Sequence, residues 1–175
     1  GLKATRGYRA IADRMRVQRA ARAGGYFDNA LRSLEELSAE ACRAGVLLAV
    51  ENRFYHREIP SCEELGGLLR RFEGGNVGYW HDIGHAQVME NLGLARHEEY
   101  LDAAGGGLRG FHIHDVLLCE DHLPPSRGMV DFSRFAARGG LRVIELAPMH
   151  GLAEVERGVR CAERLFGNGR GAGEG

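Results

Sequence analysis

VLLAVE, residues 46–51, is a continuously apolar run that ends on a glutamate. Side chains alternate between the two faces of a strand, so a run with no polar position is buried on both faces, as strands of parallel sheets are. Working outward, the arrangement recurs. NVGYWHD (76–82) ends on Asp82, LRGFHIHDV (108–116) carries His112, and LRVIELA (141–147) carries Glu145. Helical patterns lie between these runs. Leu31, Leu34, Leu37 and Ala41 recur at three- and four-residue steps, which predicts a helix over 26–44 closed by Gly45. Ser61 with Glu64 three residues on reads as a capping box, opening a helix to about Phe72. Further helices are expected from about 93 to 104, briefly after Asp131, and over 151–166, where Leu152, Val155, Val159, Ala162 and Leu165 share a face. Such alternation predicts an α/β fold with a parallel sheet and right-handed crossovers. Alternation alone leaves open whether the sheet is doubly wound or closes into a barrel.

Composition narrows the partners. The 175 residues are 44% hydrophobic and 27% charged, an ordinary globular balance. A net charge of -1 gives no reason to expect a nucleic-acid partner. Local charge is another matter: residues 1–25 hold Lys3, Arg6, Arg9, Arg14, Arg16, Arg19 and Arg22 against Asp13. Two readings stand, a solvated helix face, which is the expectation, and a phosphate-binding face. Four cysteines (42, 62, 119 and 161) without CxxC spacing read as free thiols of a cytoplasmic protein, Cys42 and Cys161 as small buried residues of helices. No apolar run nears the roughly 20 residues a membrane span needs.

The chemistry sits where the strands end. Glu51, Asp82, His112 and Glu145 follow one another at intervals of 31, 30 and 33 residues. Each interval is about one βα unit, so the four recur at equivalent points. In a barrel those points face one axis at the rim where active sites of that fold are built. Three carboxylates converging there would repel one another, and burying them is costly unless a cation is bound. Three carboxylates and one imidazole make a hard donor set that favours Mn²⁺, Mg²⁺ or Co²⁺ over a thiolate-type zinc site.

Several motifs carry a resemblance: Glu51-Asn52 after an apolar strand, D-x-G-H-A (Asp82 to Ala86), F-H-x-H-D (Phe111 to Asp115), D-H-L-P-P (Asp121 to Pro125) and the strand-end Glu145. In order and spacing, over about residues 26–166, the chain resembles the sugar phosphate isomerase/epimerase group of the xylose isomerase-like superfamily, which shares its barrel with endonuclease IV. The resemblance implies a (β/α)8 TIM barrel of which residues 1–166 would be the C-terminal half, with 167–175 a disordered glycine-rich tail. It implies that Glu51, Asp82, His112 and Glu145 hold one divalent metal and that Glu51 and Glu145 move protons on opposite faces of a small sugar or polyol derivative. His85 would contact substrate oxygens. Arg127 could hold a phosphate or carboxylate or equally well lie at the surface. The endonuclease-like alternative is a zinc phosphodiesterase in which His85 joins Asp82 as a ligand and Glu120 and His122 supply more. A third reading is a fragment that keeps the ligands but turns nothing over.

Other residues receive plainer expectations. His81 precedes Asp82 and should point away from the barrel axis. His114 reads as structural or as a support for the ligands, Trp80 and Phe54 as core, with lining a substrate pocket the alternative, and His56, His97 and His150 as solvent-exposed. Ser126 departs from the group's pattern, which has glycine after D-H-L-P-P. A full barrel takes ~250 residues, so the expectation is a half barrel with open sheet edges that pairs with another copy or is poorly stable alone.

Overall fold

The structure, a computed structural model, describes residues 2–167. Residues 168–175, which include most of the tail expected to be disordered, lie outside that range. Four strands, β1 (Leu48–Glu51), β2 (Val77–Asp82), β3 (Leu108–Ile113) and β6 (Leu141–Ile144), form one parallel sheet in the order β1-β2-β3-β6. Neighbours in the sheet are therefore neighbours in sequence. A doubly wound sheet reverses its order at a switch point, and a singly wound barrel does not. The sheet is thus four consecutive strands of a TIM-type barrel. Its edges carry exposed apolar residues, Leu47 beside β1 and Leu141 and Val143 in β6.

The helices pack on the outer face. α1 (Arg6–Arg43) is one helix of 38 residues, opened by Thr5, whose side chain accepts the Tyr8 N–H, and closed next to Gly45 at φ 69°. It is longer than the helix over 26–44 that the leucine pattern predicts, because its basic N-terminal half is fixed by distant partners and not by an apolar stripe. Arg19 donates to both carboxylate oxygens of Glu64 (2.8 and 2.7 Å) and to the carbonyls of His56 and Glu58 (2.8 Å each). Expected on a solvated face, Arg19 is instead a half-buried pin. Cys42, expected to be buried, is exposed near the end of α1. All four cysteines are free.

α2 (Cys62–Arg71) starts at the predicted capping box, Ser61 and Glu64. α3 (Ile83–Asn91) begins directly at the end of β2, and α4 (His97–Ala104) follows. α5 (Leu152–Phe166) closes the order. The stretch expected as one strand over 108–116 breaks at His114. After it β4 (Asp115–Leu117) and β5 (Glu120–Leu123) form an antiparallel hairpin on the rim, with Leu118 and His122 at positive φ. Asp131 caps a 3-10 turn, Phe132–Phe135. The core, between sheet and helices, is built on Leu65, Tyr79, Ile83, Phe111, Ile113 and Phe135, each at most 1% exposed. Among the described residues no helix is long and apolar enough to cross a membrane.

His81 points into this outer core, away from the axis, and is fully buried. His97, expected at the surface, is fully buried too. The reason is a polar chain beneath β2: the Tyr79 hydroxyl lies 2.7 Å from His81 Nδ1, His81 Nε2 3.0 Å from His97 Nδ1, and His97 Nε2 3.3 Å from Gln87 Oε1. Burial, then the neighbouring His97, holds the His81 pKa well below its ordinary value. Burial, then Arg134, pulls His97 from 6.5 to about 4. Both pKa values are depressed, so below pH 6.5 the unfolded chain binds more protons than the folded one, and stability falls with pH across that window. The His97 shift alone corresponds to a loss on the order of 3 kcal/mol from 6.5 down to about 4. Urea unfolding at stepped pH should show this loss, and His97→Gln should flatten it. An unchanged slope in that variant would remove His97 as its source.

Candidate metal centre

The sheet register brings the strand ends together: Asp82 pairs with His112 across β2 and β3, Glu51 with Trp80 across β1 and β2, and the Glu145 N–H donates to the Ile113 carbonyl. Ligand atoms of Glu51, Asp82, His112 and Glu145 all lie within 4.8 Å of one another. His112 Nδ1 is at the centre, 2.5 Å from Glu51 Oε1, 3.1 Å from Glu145 Oε2 and 3.5 Å from Asp82 Oδ2. The Trp80 ring lies 5.2 Å from the imidazole on the same inner face. Gly110 makes room for it, since a Cβ there would meet the indole at 2.5 Å.

Asp82 is fully buried and held from every side. Its Oδ1 accepts the His85 N–H at 2.7 Å, capping α3, and the His114 Nε2–H at 2.9 Å. Its backbone is clamped by Asn52, whose side chain accepts the Asp82 N–H at 2.8 Å and donates to the Asp82 carbonyl at 2.9 Å. Burial would raise the Asp82 pKa, but the neighbouring His112 imidazole and the hydrogen bond from His114 outweigh it and hold the carboxyl well below the usual range. Burial likewise pulls His112 down, while Asp82, Glu51 and Glu145 outweigh that and push it up to about 10.

These residues fit a divalent cation. Asp82 Oδ2 is buried and has no hydrogen-bond partner, a costly state for a carboxylate oxygen. It faces the space shared by the other three ligands. One imidazole proton cannot satisfy three carboxylates, whereas a cation coordinated by all four groups would satisfy them together.

A second group, His85, His114 and His122, also offers ligand atoms within 4.8 Å of one another. His114 is occupied: its Nδ1 accepts the His122 N–H at 2.8 Å, so its Nε2–H is fixed on Asp82. Its ring stacks on His122 at 4.2 Å and leans against Gly84. What remains open is His85 and His122 on either side of Asp121, whose Oδ2 is 3.8 Å from His85 Nε2 and 3.0 Å from His122 Nδ1. Asp121, not Glu120, takes this place. Glu120 is exposed in the hairpin and lies outside both groups.

Arg127, expected either to hold a substrate anion or to lie at the surface, takes the surface role: it is exposed and pairs with Glu154 at 3.2 Å. His150, expected to be exposed, has a side chain only 13% exposed, with Nε2 3.1 Å from the His122 carbonyl. His56 is half-buried. Sequence reading gives no role to Asn52 or Asp115. Asp115 is 1% exposed and accepts the N–H groups of Val116, Ser126, Gly128 and Val130, which folds the 124–130 loop onto the rim. Ser126 stands at φ 84° in that loop, which explains why glycine suits the position.

The xylose isomerase-like TIM barrel family matches residues 7–138 of the chain. The chain belongs to this family. The match spans β1 to β5 and three of the four candidate ligands. A crystal structure described as a D-tagatose 3-epimerase-like protein is similar, with a TM-score of 0.63 and 19% identity over 81% of this chain. That likeness concerns the fold. This xylose isomerase-like chain spans about half of that structure, 55%. No curated protein matches it.

Proposed function

We propose that the chain is the metal-binding part of a divalent-metal-dependent isomerase or epimerase acting on a sugar or polyol derivative. The observation that carries this reading is the convergence of Glu51, Asp82, His112 and Glu145 around the unpartnered buried oxygen of Asp82. The similarity to a D-tagatose 3-epimerase-like protein supports the substrate class. A cation held by these four would be Mn²⁺, Mg²⁺ or Co²⁺ by donor hardness and would polarise a substrate carbonyl. Removing a proton beside that carbonyl needs a base within hydrogen-bond reach. Glu51 and Glu145 flank His112 from different strands, so one can take a proton from one substrate face while the other returns it to the opposite face. Glu145, 44% exposed, is the more accessible of the two. His85, through Nε2, would orient a substrate hydroxyl. Trp80 supplies an apolar wall beside the reacting carbon.

The test is Glu145→Gln, assayed for Mn²⁺ uptake and for exchange of the carbon-bound proton with solvent deuterium in a ketose panel that includes D-tagatose. Exchange should fall by ~10²–10⁴ while metal uptake survives. Unchanged exchange would remove Glu145 as a base, and no exchange by the parent protein on any ketose would remove the isomerase reading.

One observation favours a second reading. The His85–Asp121–His122 arrangement has the composition of a zinc site, and two or three zinc ions are the machinery of a phosphodiesterase on this scaffold. Metal analysis separates the two: one ion per chain supports the isomerase, two or more the hydrolase.

A further inference from the structure

The N-terminal half of α1 crosses the rim beside the candidate metal centre and roofs a cavity of about 900 Å³. Its floor is apolar and includes Val88, Met89 and Leu94, while Arg22, Arg53 and Arg57 stand around its mouth. The charges of this lining do not cancel. Arg19, which also lines it, is neutralised by Glu64 at 2.7 Å. Arg53 is shared between Glu51 at 3.4 Å and Glu58 at 3.7 Å. Glu58 is the one acid in the lining. Among the described residues Arg22 and Arg57 have no carboxylate partner, and the Arg57 guanidinium lies over the Tyr55 ring at 4.4 Å. His56, also in the wall, keeps a buried Nε2 without a hydrogen-bond partner. Burial, then the charges of Arg19 and Arg16, pulls its pKa below the ordinary value, as a positive field would.

The cavity adjoins the four ligands through two residues. Arg53 reaches Glu51, and the Phe54 ring meets the His85 ring edge-on at 5.8 Å. A molecule lying along Arg53 and Phe54 would have one end at the metal ligands and the other between Arg22 and Arg57. Guanidinium groups bind oxyanions through paired N–H donors, and more strongly where an apolar floor excludes water.

We propose that this cavity binds the anionic end of the substrate, with Arg22 and Arg57 holding a phosphate or carboxylate group remote from the carbon that reacts. The inference rests on the isomerase reading and narrows its substrate to an acidic or phosphorylated sugar or polyol. It gives the basic stretch of α1 a ligand in place of bulk solvent.

The test measures binding of inorganic phosphate and of acetate by titration calorimetry, on metal-free and on Mn²⁺-loaded protein. The metal-free arm keeps the anion from binding the cation instead. Arg22→Gln/Arg57→Gln is compared with the charge-matched Arg6→Gln/Arg14→Gln, whose residues are exposed and line no cavity described here. All four side chains are exposed, so both variants should fold. Anion binding should weaken at least about tenfold in the first and stay near the parent value in the second, since each lost charged hydrogen bond costs about 1.5–3 kcal/mol. Tighter binding of phosphate assigns a phosphorylated substrate, and equal or tighter binding of acetate a carboxylated one. Binding of neither anion, or equal weakening in both variants, overturns the inference. Metal uptake is read separately. If Mn²⁺ binds and the anions do not, this inference fails and the proposed function stands, whereas absent metal uptake counts against the proposed function.

Discussion

Asp82→Asn is expected to weaken Mn²⁺ binding by at least about a hundredfold, the upper end of what even the supporting hydrogen bonds of a metal site are worth. The substitution is nearly isosteric. Its one oxygen can still accept from His85 N and His114 Nε2, which bond Asp82 Oδ1 at 2.7 and 2.9 Å. The helix cap and the His114 position should therefore survive. What changes is the other atom. Oδ2, now buried without a partner, becomes an NH₂ group that repels a cation. Without metal the variant should lose much less, because Glu51 and Glu145 still face His112 at 2.5 and 3.1 Å and the oxygen removed held no hydrogen bond. Calorimetric titration with Mn²⁺ and urea unfolding in chelator read the two effects separately. Mn²⁺ binding as tight as in the parent would exclude Asp82 from the site and remove the best reason for placing a cation there.

The same uptake should release protons. His112 must be neutral to coordinate, yet its neighbours hold it up to about 10, so at pH 8 nearly every metal-free molecule carries the imidazolium. Calorimetry in buffers of different ionisation enthalpy should give close to one proton released per ion bound. Release near zero would mean that Nδ1 is not a ligand.

What could be read from sequence follows from what each feature depends on. VLLAV announces a strand, but not its burial: β1 is the edge of the sheet, with Ala49 exposed and its other positions only partly covered, whereas NVGYWHD, with polar residues in it, forms the buried β2. The ionisable ends of both stand out at the close of an apolar run. The spacing of Glu51, Asp82, His112 and Glu145 is set by the chain length of a βα unit, which is a local property. α3 left no such mark. Ile83 through Met89 are all buried, and a helix buried all round shows no amphipathic period. The β4–β5 hairpin turns through Leu118 at φ 61°, without the glycine or asparagine that announces a turn. Of the parts of the site that hold other parts, His114 reads as a support from sequence, but what it and Asn52 hold does not, for a different reason. Asn52 clamps Asp82 from 30 residues away, and His114 braces it from 32. Neither residue type signals a partner at that distance. His97 looked like a surface histidine at the start of a short helix, because its partner His81 lies on another element.

Gly84→Ala is expected to destabilise the protein by about 3 kcal/mol and to weaken metal binding about ten- to a hundredfold, although Gly84 touches no ligand position itself. A Cβ at residue 84 would lie 1.9 Å from His114 Cε1 and 2.3 Å from its Nδ1. The imidazole cannot yield, because its two nitrogens are fixed by His122 N at 2.8 Å and Asp82 Oδ1 at 2.9 Å, and its far face stacks on His122. Making room costs the overpacking penalty of about 1–3 kcal/mol and leaves a buried carboxylate oxygen and a buried N–H short of partners, at about 1–3 kcal/mol more. Freed of that brace, Asp82 is less well aimed, which is where the metal affinity goes. A double-variant cycle tests the route. His114→Ala removes the group that the new methyl strikes, so Gly84→Ala in that background should cost little beyond His114→Ala alone. If the two losses simply add, the clash with His114 is not the cause, and the glycine of D-x-G-H is required for the turn from β2 into α3 instead of for the imidazole that rests on it.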